Sequence, residues 1–185
     1  PPFNVSDWSG HLLRDDVRWK FGVPPVGNAN YAWIQHFIHH LAPANGRGGG
    51  IAGFVMANAS LASEPGIEAD IRKQIVQADL VECIVSLPDR LFYTTPIPVC
   101  LWFVSRAKAH RSHGKRKGHV LFIDASSMGT MPTRTSRELT DEEIGKIAGI
   151  YRAWKTNDET YVDEPGVCCS ASLSEIAAKE YSLHP

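Results

Sequence analysis

Three short apolar runs decide the fold of this chain: GIAGFVMA (Gly50–Ala57), LVECIVS (Leu80–Ser86) and VCLWFVS (Val99–Ser105). The first run shows no polar alternation, which predicts a strand that is covered on both faces in a parallel sheet. Between the first two runs, isoleucine recurs at positions 67, 71 and 75 among charged and amide residues, and this predicts an amphipathic helix. Strand, helix and strand in this order form the crossover unit of an α/β sheet, for which the right-handed form is strongly preferred.

The third run predicts a return strand that is antiparallel to its neighbour. It follows the second run after a short connection that contains prolines and has no helical period. Two strands that are joined without a crossover pair most naturally in the antiparallel sense. A fourth strand, HVLFID (His119–Asp124), is reached through a basic loop and is expected at or near the edge of the sheet.

Helical spacing flanks the predicted strands. Apolar residues recur at intervals of three and four from Asn30 to Leu41, which predicts a helix, and residues 4–29 before it predict a long ordered loop with aromatic anchors. Further helices are expected around residues 144–154 and at Leu173–Lys179. Each of these two is preceded by the spacing of a capping box, in which a hydroxyl residue stands three positions before a glutamate. The pairs are Thr140 with Glu143 and Ser172 with Glu175.

The charge balance does not commit the whole chain to a polyanion. Lysine plus arginine number 19 and aspartate plus glutamate number 20, which gives a formal net charge of -1. Any contact with a polyanion must therefore be local. The densest basic stretch, Arg106–Lys117, is interpreted as a solvated hairpin tip, and phosphate contact is the second interpretation.

The cysteines and histidines favour packing roles over metal or redox chemistry. The four cysteines form no C-x-x-C pair, and Cys83 and Cys100 are predicted to be buried thiols, which favours a reducing compartment and a cytoplasmic location. His36 and His40 are four residues apart, but no pattern of further ligands accompanies them, so no metal is expected. The longest apolar stretch, around Ile97–Val104, is too short to cross a bilayer, and no membrane partner is expected.

Three stretches give the chain a resemblance to a known family. They are Pro1-Pro2-Phe3 at the start, LPDRLFYTTPI (Leu87–Ile97) before the third apolar run, and SLSEIAAKEYSLHP (Ser172–Pro185) at the end. Together with the order of elements, they resemble the modification subunit of type I restriction-modification systems, a family of adenine-N6 DNA methyltransferases. The resemblance covers nearly the whole chain.

The resemblance implies an α/β fold, namely the C-terminal half of a class I S-adenosylmethionine-dependent methyltransferase sheet, which is Rossmann-like. Residues 1–155 are expected to form that half of the catalytic domain, and residues 156–185 a C-terminal tail with a short helix. In the family, parallel strands are followed by an antiparallel return strand. The turn with an Asn or Asp, two prolines and an aromatic residue ends the strand just before this half.

The resemblance also implies the site residues. The catalytic positions are Pro1, Pro2 and Phe3: the Pro1 carbonyl and the asparagine expected before it would accept hydrogen bonds from the adenine amine, and Phe3 would stack on the flipped base. The substrate-binding positions are Phe92, Tyr93 and Thr95, in a loop that would wall the other side of the base. Phe92 as a plain core residue at a strand end is an equally good reading.

Cofactor and partners follow from the same resemblance. S-adenosyl-L-methionine would be bound mainly by residues upstream of Pro1, so the 185 residues are expected to be inactive alone. The expected partners are DNA, a specificity subunit and a restriction subunit, with homo-oligomerisation through an exposed sheet edge as a further possibility. Two alternatives stay open at this point. One is a protein-glutamine or RNA methyltransferase of the same motif class, and the other is a non-catalytic interaction module.

Overall fold

The computed structural model describes Pro2 and residues 4–45, 48–62, 64–93, 95–108, 116–156 and 160–185. Within these residues, five strands form one mixed sheet in the order β1-β3-β2-β4-β5. They are β1 (Ile51–Ala57), β2 (Val81–Ser86), β3 (Val99–Ser105), β4 (His119–Asp124) and β5 (Cys168–Ser172). The α-helices are α1 (Asn30–His40), α2 (Ile67–Gln77), α3 (Asp141–Thr156) and α4 (Leu173–Ala178), and short 3-10 turns span Gly10–Leu12 and Asn58–Ser60.

The return strand β3 lies between β1 and β2 and is antiparallel to both. Trp102 at its centre is paired with Phe54 of β1 on one side and with Ile84 of β2 on the other. Because β3 opposes both neighbours, β1 and β2 run in the same direction, and helix α2 makes the crossover between them. The predicted α/β crossover and the predicted antiparallel return are both confirmed.

Helices α1 and α2 cover one face of the sheet. Their apolar stripes meet the buried side chains of β1 and β3 in one core, and Tyr31, Ile34 and Trp102 at its centre have no exposed surface. The isoleucine spacing that predicts α2 has its physical basis here, because Ile71 and Ile75 belong to this core while Lys73 and Gln74 between them are exposed. Arg72 is also buried, and its Nε donates to the carbonyl of Tyr181 at 2.8 Å. The C-terminal segment closes the same core with Ile176 and Leu183.

Helix α3 packs on the opposite face of the sheet. Its one fully buried side chain, Trp154, donates from its indole nitrogen to Ser170 Oγ at 2.8 Å. The Phe103 ring of β3 stacks on the ring of Tyr151 with their centroids 5.2 Å apart. Both predicted capping boxes are confirmed: Glu143 N–H donates to Thr140 Oγ1, and Glu175 N–H donates to Ser172 Oγ.

The sequence predicted that β4 lies at or near the edge of the sheet, and β4 lies one strand in from that edge. The edge strand is β5, which pairs antiparallel with β4 from Cys168 to Ser172. β5 itself was not predicted, since CCSAS has neither a long apolar run nor an alternating pattern. Its pairing with β4 bridges about fifty residues of sequence. The proposed boundary at residue 155 stays a prediction, and the residues beyond it contribute this strand to the same sheet.

The burial predicted for β1 needs a correction. Within the described residues β1 pairs with β3, and the two strands are antiparallel. Phe54 and Met56 are buried under α1 and α2, whereas Ile51 on the same strand is 42% exposed. β2 has the burial that was expected of β1, because every residue from Val81 to Ser86 is buried.

Two side chains of the basic segment are buried, which corrects the hairpin-tip interpretation for Lys108 and Arg116. These two side chains are 2% and 1% exposed. Lys108 forms an ion pair with Asp79, and Arg116 forms one with Glu82 at 2.7 Å. Residues 109–115 between them lie outside the described part of the chain. The two cations are buried because the turn before β2 and β2 itself supply carboxylates, at positions about thirty residues away in sequence.

Cys83 and Cys100 are buried and free, as predicted. Burial raises the pKa of the Cys83 thiol, and it raises the pKa of the Cys100 thiol to about 11. None of the helices in the described residues combines the length and the apolar character that a membrane span requires.

Candidate functional site

The start of the chain is tied to the first turn of α1. Asn4 N–H donates to Asn30 Oδ1 at 3.0 Å, and Asn30 Nδ2 donates back to Asn4 Oδ1 at 2.8 Å. One residue further on, the Val5 carbonyl accepts from the N–H of Ala29 at 3.0 Å. Asn30 is 1% exposed, so this exchange is shielded from water. The diproline turn therefore adjoins a segment that is fixed to the N-terminus of a helix.

That helix terminus lies beside the C-terminal ends of strands β1 and β2. Tyr31, in the first turn of α1, donates its hydroxyl to the carbonyl of Ser60 at 2.7 Å, and Ser60 follows β1 directly. The chain after residue 86 leaves the C-terminal end of β2 on the same side, since β2 runs parallel to β1. The structure thus brings the neighbourhood of Pro2 and the loop predicted to face it to the C-terminal ends of these two strands. Pro1 and Phe3 lie outside the described residues.

The loop Leu87–Ile97 reverses tightly, with Phe92 and Thr95 paired as an isolated antiparallel bridge. Tyr93 at the tip is 96% exposed and Phe92 is 37% exposed. Phe92 is therefore not a fully buried core residue. Thr95 Oγ1 accepts a hydrogen bond from Ile97 N–H at 3.4 Å.

Arg137 holds this loop against the segment that follows β4. Its backbone N–H donates to the carbonyl of Arg90 at 2.8 Å, and its guanidinium donates to the carbonyls of Met128 and Gly129, each at 3.2 Å. The guanidinium also lies 3.4 Å from a carboxylate oxygen of Asp89. Four contacts of Arg137, three of them from its side chain, fix the base of the loop, while Tyr93 at its tip is exposed.

Pro2 forms part of the wall of a cavity of about 330 Å³, which we call the aromatic cavity. Residues from the loop before α1 and from one face of α1 complete the lining. They are Val5, Trp8, Leu13, Arg18, Trp19, Ala29, Ala32, Trp33 and His36. The sequence pointed to Trp8 and Trp19 only as anchors of an ordered loop, and it missed Trp33. The signal that could have found Trp33 is the spacing of positions 29, 32, 33 and 36, which marks a second face of α1.

The polar groups of the aromatic cavity form one short chain. Arg18 is held by Asp16, with its Nε and Nη2 at 2.7 and 2.6 Å from the two carboxylate oxygens, and its Nη1 lies 2.9 Å from His36 Nδ1. The hydrogen bonds from Arg18 lower the pKa of Asp16 to about 2. Burial and the neighbouring His40 lower the pKa of His36, so its ring is neutral near pH 7 and Nδ1 can accept from Arg18.

A second group of charged residues lies at the opposite ends of the strands, beside the starts of β2 and β4. The Glu82 carboxylate has no exposed surface and accepts hydrogen bonds from Arg116 and from the Tyr151 hydroxyl, each at 2.7 Å. Burial, followed by the nearby Glu82 carboxylate, raises the pKa of Tyr151. The sequence carried a signal for this group, because an acidic residue inside an apolar run requires a buried partner.

The histidines of α1 do not assemble a metal centre. In the part of the chain that the structure describes, no three His, Cys, Asp or Glu side chains are grouped so that they could hold an ion. The rings of His36 and His40 lie 4.4 Å apart, and the nearest polar partner of His36 is the Arg18 cation. This arrangement suits a hydrogen-bonded helix face.

The family model for N-6 DNA methylases matches residues 1–185, the whole length of the chain. The chain belongs to the N-6 DNA methylase family. Among relatives of this N-6 DNA methylase chain, the type I restriction enzyme HindI methylase subunit of Haemophilus influenzae is 47% identical over 185 residues, which are 100% of this chain and 39% of that protein. The MjaIX methylase subunit of Methanocaldococcus jannaschii is 43% identical over 192 residues, which are 33% of its length.

Solved structures agree with the fold of this N-6 DNA methylase chain. The methyltransferase subunit of a type I restriction-modification system from Streptococcus thermophilus superposes with a TM-score of 0.80 at 25% identity, covering 100% of this chain and 36% of that one. The EcoKI M protein superposes with a TM-score of 0.62 at 20% identity, over 84% of this chain and 37% of that one, and shows the fold alone. The fold is the C-terminal half of a class I methyltransferase domain. The chain spans well under half the length of these relatives.

Proposed function

We propose that this chain is the base-handling half of the catalytic domain of an adenine-N6 DNA methyltransferase, the modification subunit of a type I restriction-modification system. The observation that carries the proposal is that two features lie together at the C-terminal ends of β1 and β2. They are the anchored segment beside Pro2 and the exposed tip of the loop Leu87–Ile97, and a flipped base would reach both. The 47% identity to a type I methylase subunit supports the same function.

The chemistry of adenine explains why a rigid turn is needed. The lone pair of the exocyclic amine is delocalised into the ring, so the amine becomes a nucleophile only when acceptors draw on its hydrogens. The Pro1 carbonyl is one such acceptor, and the fixed φ angles of two successive prolines hold its direction. The second acceptor is the asparagine side chain that the family carries before the first proline. S-adenosyl-L-methionine, bound mainly by residues upstream of this segment, supplies the methyl group.

The aromatic residues hold the base outside the duplex. Phe3 stacks on the adenine ring, and a base stacked on an aromatic side chain gains about 1 to 3 kcal/mol. Phe92, Tyr93 and Thr95 form the opposite wall. Tyr93 is 96% exposed, so its ring is accessible to a base. A large exposed aromatic side chain at a loop tip favours Tyr93 as a recognition residue.

Sequence recognition belongs to a partner. A net charge of -1 gives this segment little general attraction for a duplex, so a specificity subunit would read the target and deliver the adenine. A restriction subunit would join the same assembly. Because the donor-binding residues lie upstream, the 185 residues alone are inactive in this proposal.

The test is methyl transfer from labelled donor by the full-length chain in complex with its specificity subunit. Phe3→Ala and Tyr93→Ala should each lower kcat/KM on duplex DNA by about 5- to 150-fold, the equivalent of one lost stacking contact. Val162→Ala is the matched control, since Val162 is 73% exposed on another part of the surface. Methyl transfer to RNA or to a protein glutamine in preference to DNA would show that DNA is not the substrate. Absence of donor binding would support a non-catalytic module.

A further inference from the structure

Three of the five tryptophans in the chain line the aromatic cavity, and each of the three is only partly buried. Large aromatic side chains contribute most when they are covered, and apolar surface that stays open in one place commonly marks an interaction site. Trp8, Trp19 and Trp33 therefore present indole surface to the cavity beyond what the fold requires.

Trp33 also supplies a hydrogen-bond donor beside the cavity. The indole nitrogens of the other four tryptophans each donate to a protein oxygen, at distances between 2.5 and 3.1 Å. The indole nitrogen of Trp33 is not among the buried polar atoms that lack a partner in the described residues, and the Trp33 side chain is only partly buried. An indole nitrogen that is accessible in this way can donate to an acceptor on a ligand in the cavity.

The rings that line the cavity are held by their contacts with one another and with the backbone. Trp8 and Trp19 meet edge to face with centroids 6.0 Å apart, and the Arg18 guanidinium lies 5.0 Å from the centre of the Trp19 ring. A Cβ at Gly10 would come within 2.4 Å of the Trp8 ring, so the backbone approaches that ring as closely as only glycine allows. Because these rings are already fixed, a ligand would bind with little further loss of side-chain entropy.

We propose that the aromatic cavity binds a second nucleobase of the substrate DNA, next to the adenine that is methylated. This inference rests on the proposed function. Indole faces stack on any base, and the Trp33 N–H together with Arg18 can donate to the ring nitrogens or carbonyls at the edge of a base. A volume of about 330 Å³ accommodates one base with its sugar and excludes a protein helix, which is about 10 Å across.

The position of the cavity names the source of that base. Pro2 belongs both to the cavity wall and to the turn that would grip the target adenine. A base in the cavity therefore lies within a residue or two of the reacting base, which fits a nucleotide that flanks the target or the base that was paired with it. Stacking this second base would repay part of the energy needed to open the duplex, a few kcal/mol.

The test combines a protein variant with a DNA variant in a double-mutant cycle. Duplexes carry an abasic site at each flanking position or opposite the target, and binding is measured with the full-length chain and its specificity subunit. Trp33→Ala should weaken binding of intact duplex about 5- to 150-fold, and Trp33→Phe should retain most of it. The three DNA positions are the two that flank the target adenine and the one opposite it. At one of them, the abasic site should weaken binding by the wild-type protein but change binding by Trp33→Ala less than about twofold. The reason is that Trp33 and the base at that position form one contact, which either change removes.

Three outcomes would overturn the inference. Additive effects at all three positions would show that Trp33 touches none of these bases. Equal losses for Trp33→Phe and Trp33→Ala, with an unchanged thermal midpoint, would exclude stacking. An increase in the Kd of S-adenosylmethionine with unchanged DNA binding would assign the cavity to the donor. A wild-type protein that methylates no DNA would instead remove the proposed function on which the inference rests, so the two failures are distinguishable.

Discussion

Glu82 is a carboxylate in the middle of an apolar strand, and none of its surface is exposed. It is stabilised there by Arg116, itself 1% exposed, and by the hydroxyl of Tyr151. Transfer of two charges out of water is expensive, and a buried pair is retained only when its geometry is good. The pair therefore contributes little net stability, while the loss of one member leaves an uncompensated charge.

We predict that Arg116→Met lowers the free energy of unfolding by about 3 to 5 kcal/mol, because it leaves the Glu82 carboxylate buried without its cation. The double variant Glu82→Met with Arg116→Met should regain most of the loss, since neither charge is then left unpaired. Urea unfolding of the full-length chain measures both values. A double variant less stable than Arg116→Met would contradict this account of the pair.

The cysteines give a prediction that concerns reactivity. Burial raises the pKa of Cys100 to about 11 and raises that of Cys83 as well, and the thiolate is the form that reacts. Cys169 is exposed. Of the four cysteines in this segment, iodoacetamide at pH 8 should therefore modify Cys169 first in the folded protein, and all four in urea, as read by peptide mass spectrometry. Modification of Cys100 at a rate similar to that of Cys169 would contradict the packing described for β3.

The stability of helix α4 depends on its first turn. It has only six residues, and its capping box is complete: Ser172 accepts from Glu175 N–H, and Glu175 accepts from Ser172 N–H. A helix this short has little intrinsic stability, so its ends decide whether it forms. Ile176, one turn into α4, is 3% exposed and belongs to the core beneath α1 and α2.

We predict that Ser172→Ala destabilises the fold by about 1 kcal/mol through loss of the cap, whereas Ser172→Thr retains most of it. The hydrogen bonds from Ser172 lower the pKa of Glu175. A carboxyl with a lowered folded pKa contributes stability that is present above its unfolded value, about 4.3, and is lost as the pH falls through the folded pKa. The difference between wild type and Glu175→Gln should therefore shrink below that pH in thermal melts. A constant difference down to pH 3 would contradict the cap.

Which elements the sequence predicted depends on how local their causes are. α1 and α2 were predicted because the apolar side chains that drive them repeat within the helix itself. β5 was missed because Cys168–Ser172 becomes a strand only through hydrogen bonds to β4. The buried state of Lys108 was missed for the same reason, since its partner Asp79 is supplied by the turn before β2. In each failure the decisive partner is distant in sequence.

One part of the candidate site was predicted and the other was missed. The diproline turn and the loop Leu87–Ile97 were predicted as one site by resemblance, and their common position at the strand ends follows from the parallel directions of β1 and β2. The aromatic cavity was not predicted. Its lining comes from a non-repetitive loop folded back on α1, and the position of Trp33 opposite Trp8 depends on how that loop is anchored.

For the molecule as a whole, β1 is the open side of the sheet in the described residues. Its pairing partner is β3, and its other edge carries no strand there. An unpaired edge strand is a template for another chain. The isolated 185-residue segment is therefore predicted to self-associate at micromolar concentration, as measured by sedimentation velocity.

Ile51→Lys places a charge on this edge at a residue that is 42% exposed, and it should shift the segment toward monomer. Val162→Lys, at a residue that is 73% exposed and outside β1, is the matched control and should leave association unchanged. Equal effects of the two lysines would point to a general charge effect and would contradict pairing through β1.

The two buried cations at 108 and 116 have a practical consequence. They tie the end of β3 and the start of β4 to Asp79 and Glu82, so we expect the sheet to keep its pairing when extra residues are inserted between positions 108 and 116. This connection joins the end of β3 to the start of β4, at the side of the sheet remote from Pro2 and Tyr93. A fluorescent domain inserted here would lie away from the proposed site, and it would allow the proposed assembly on DNA to be followed in living cells.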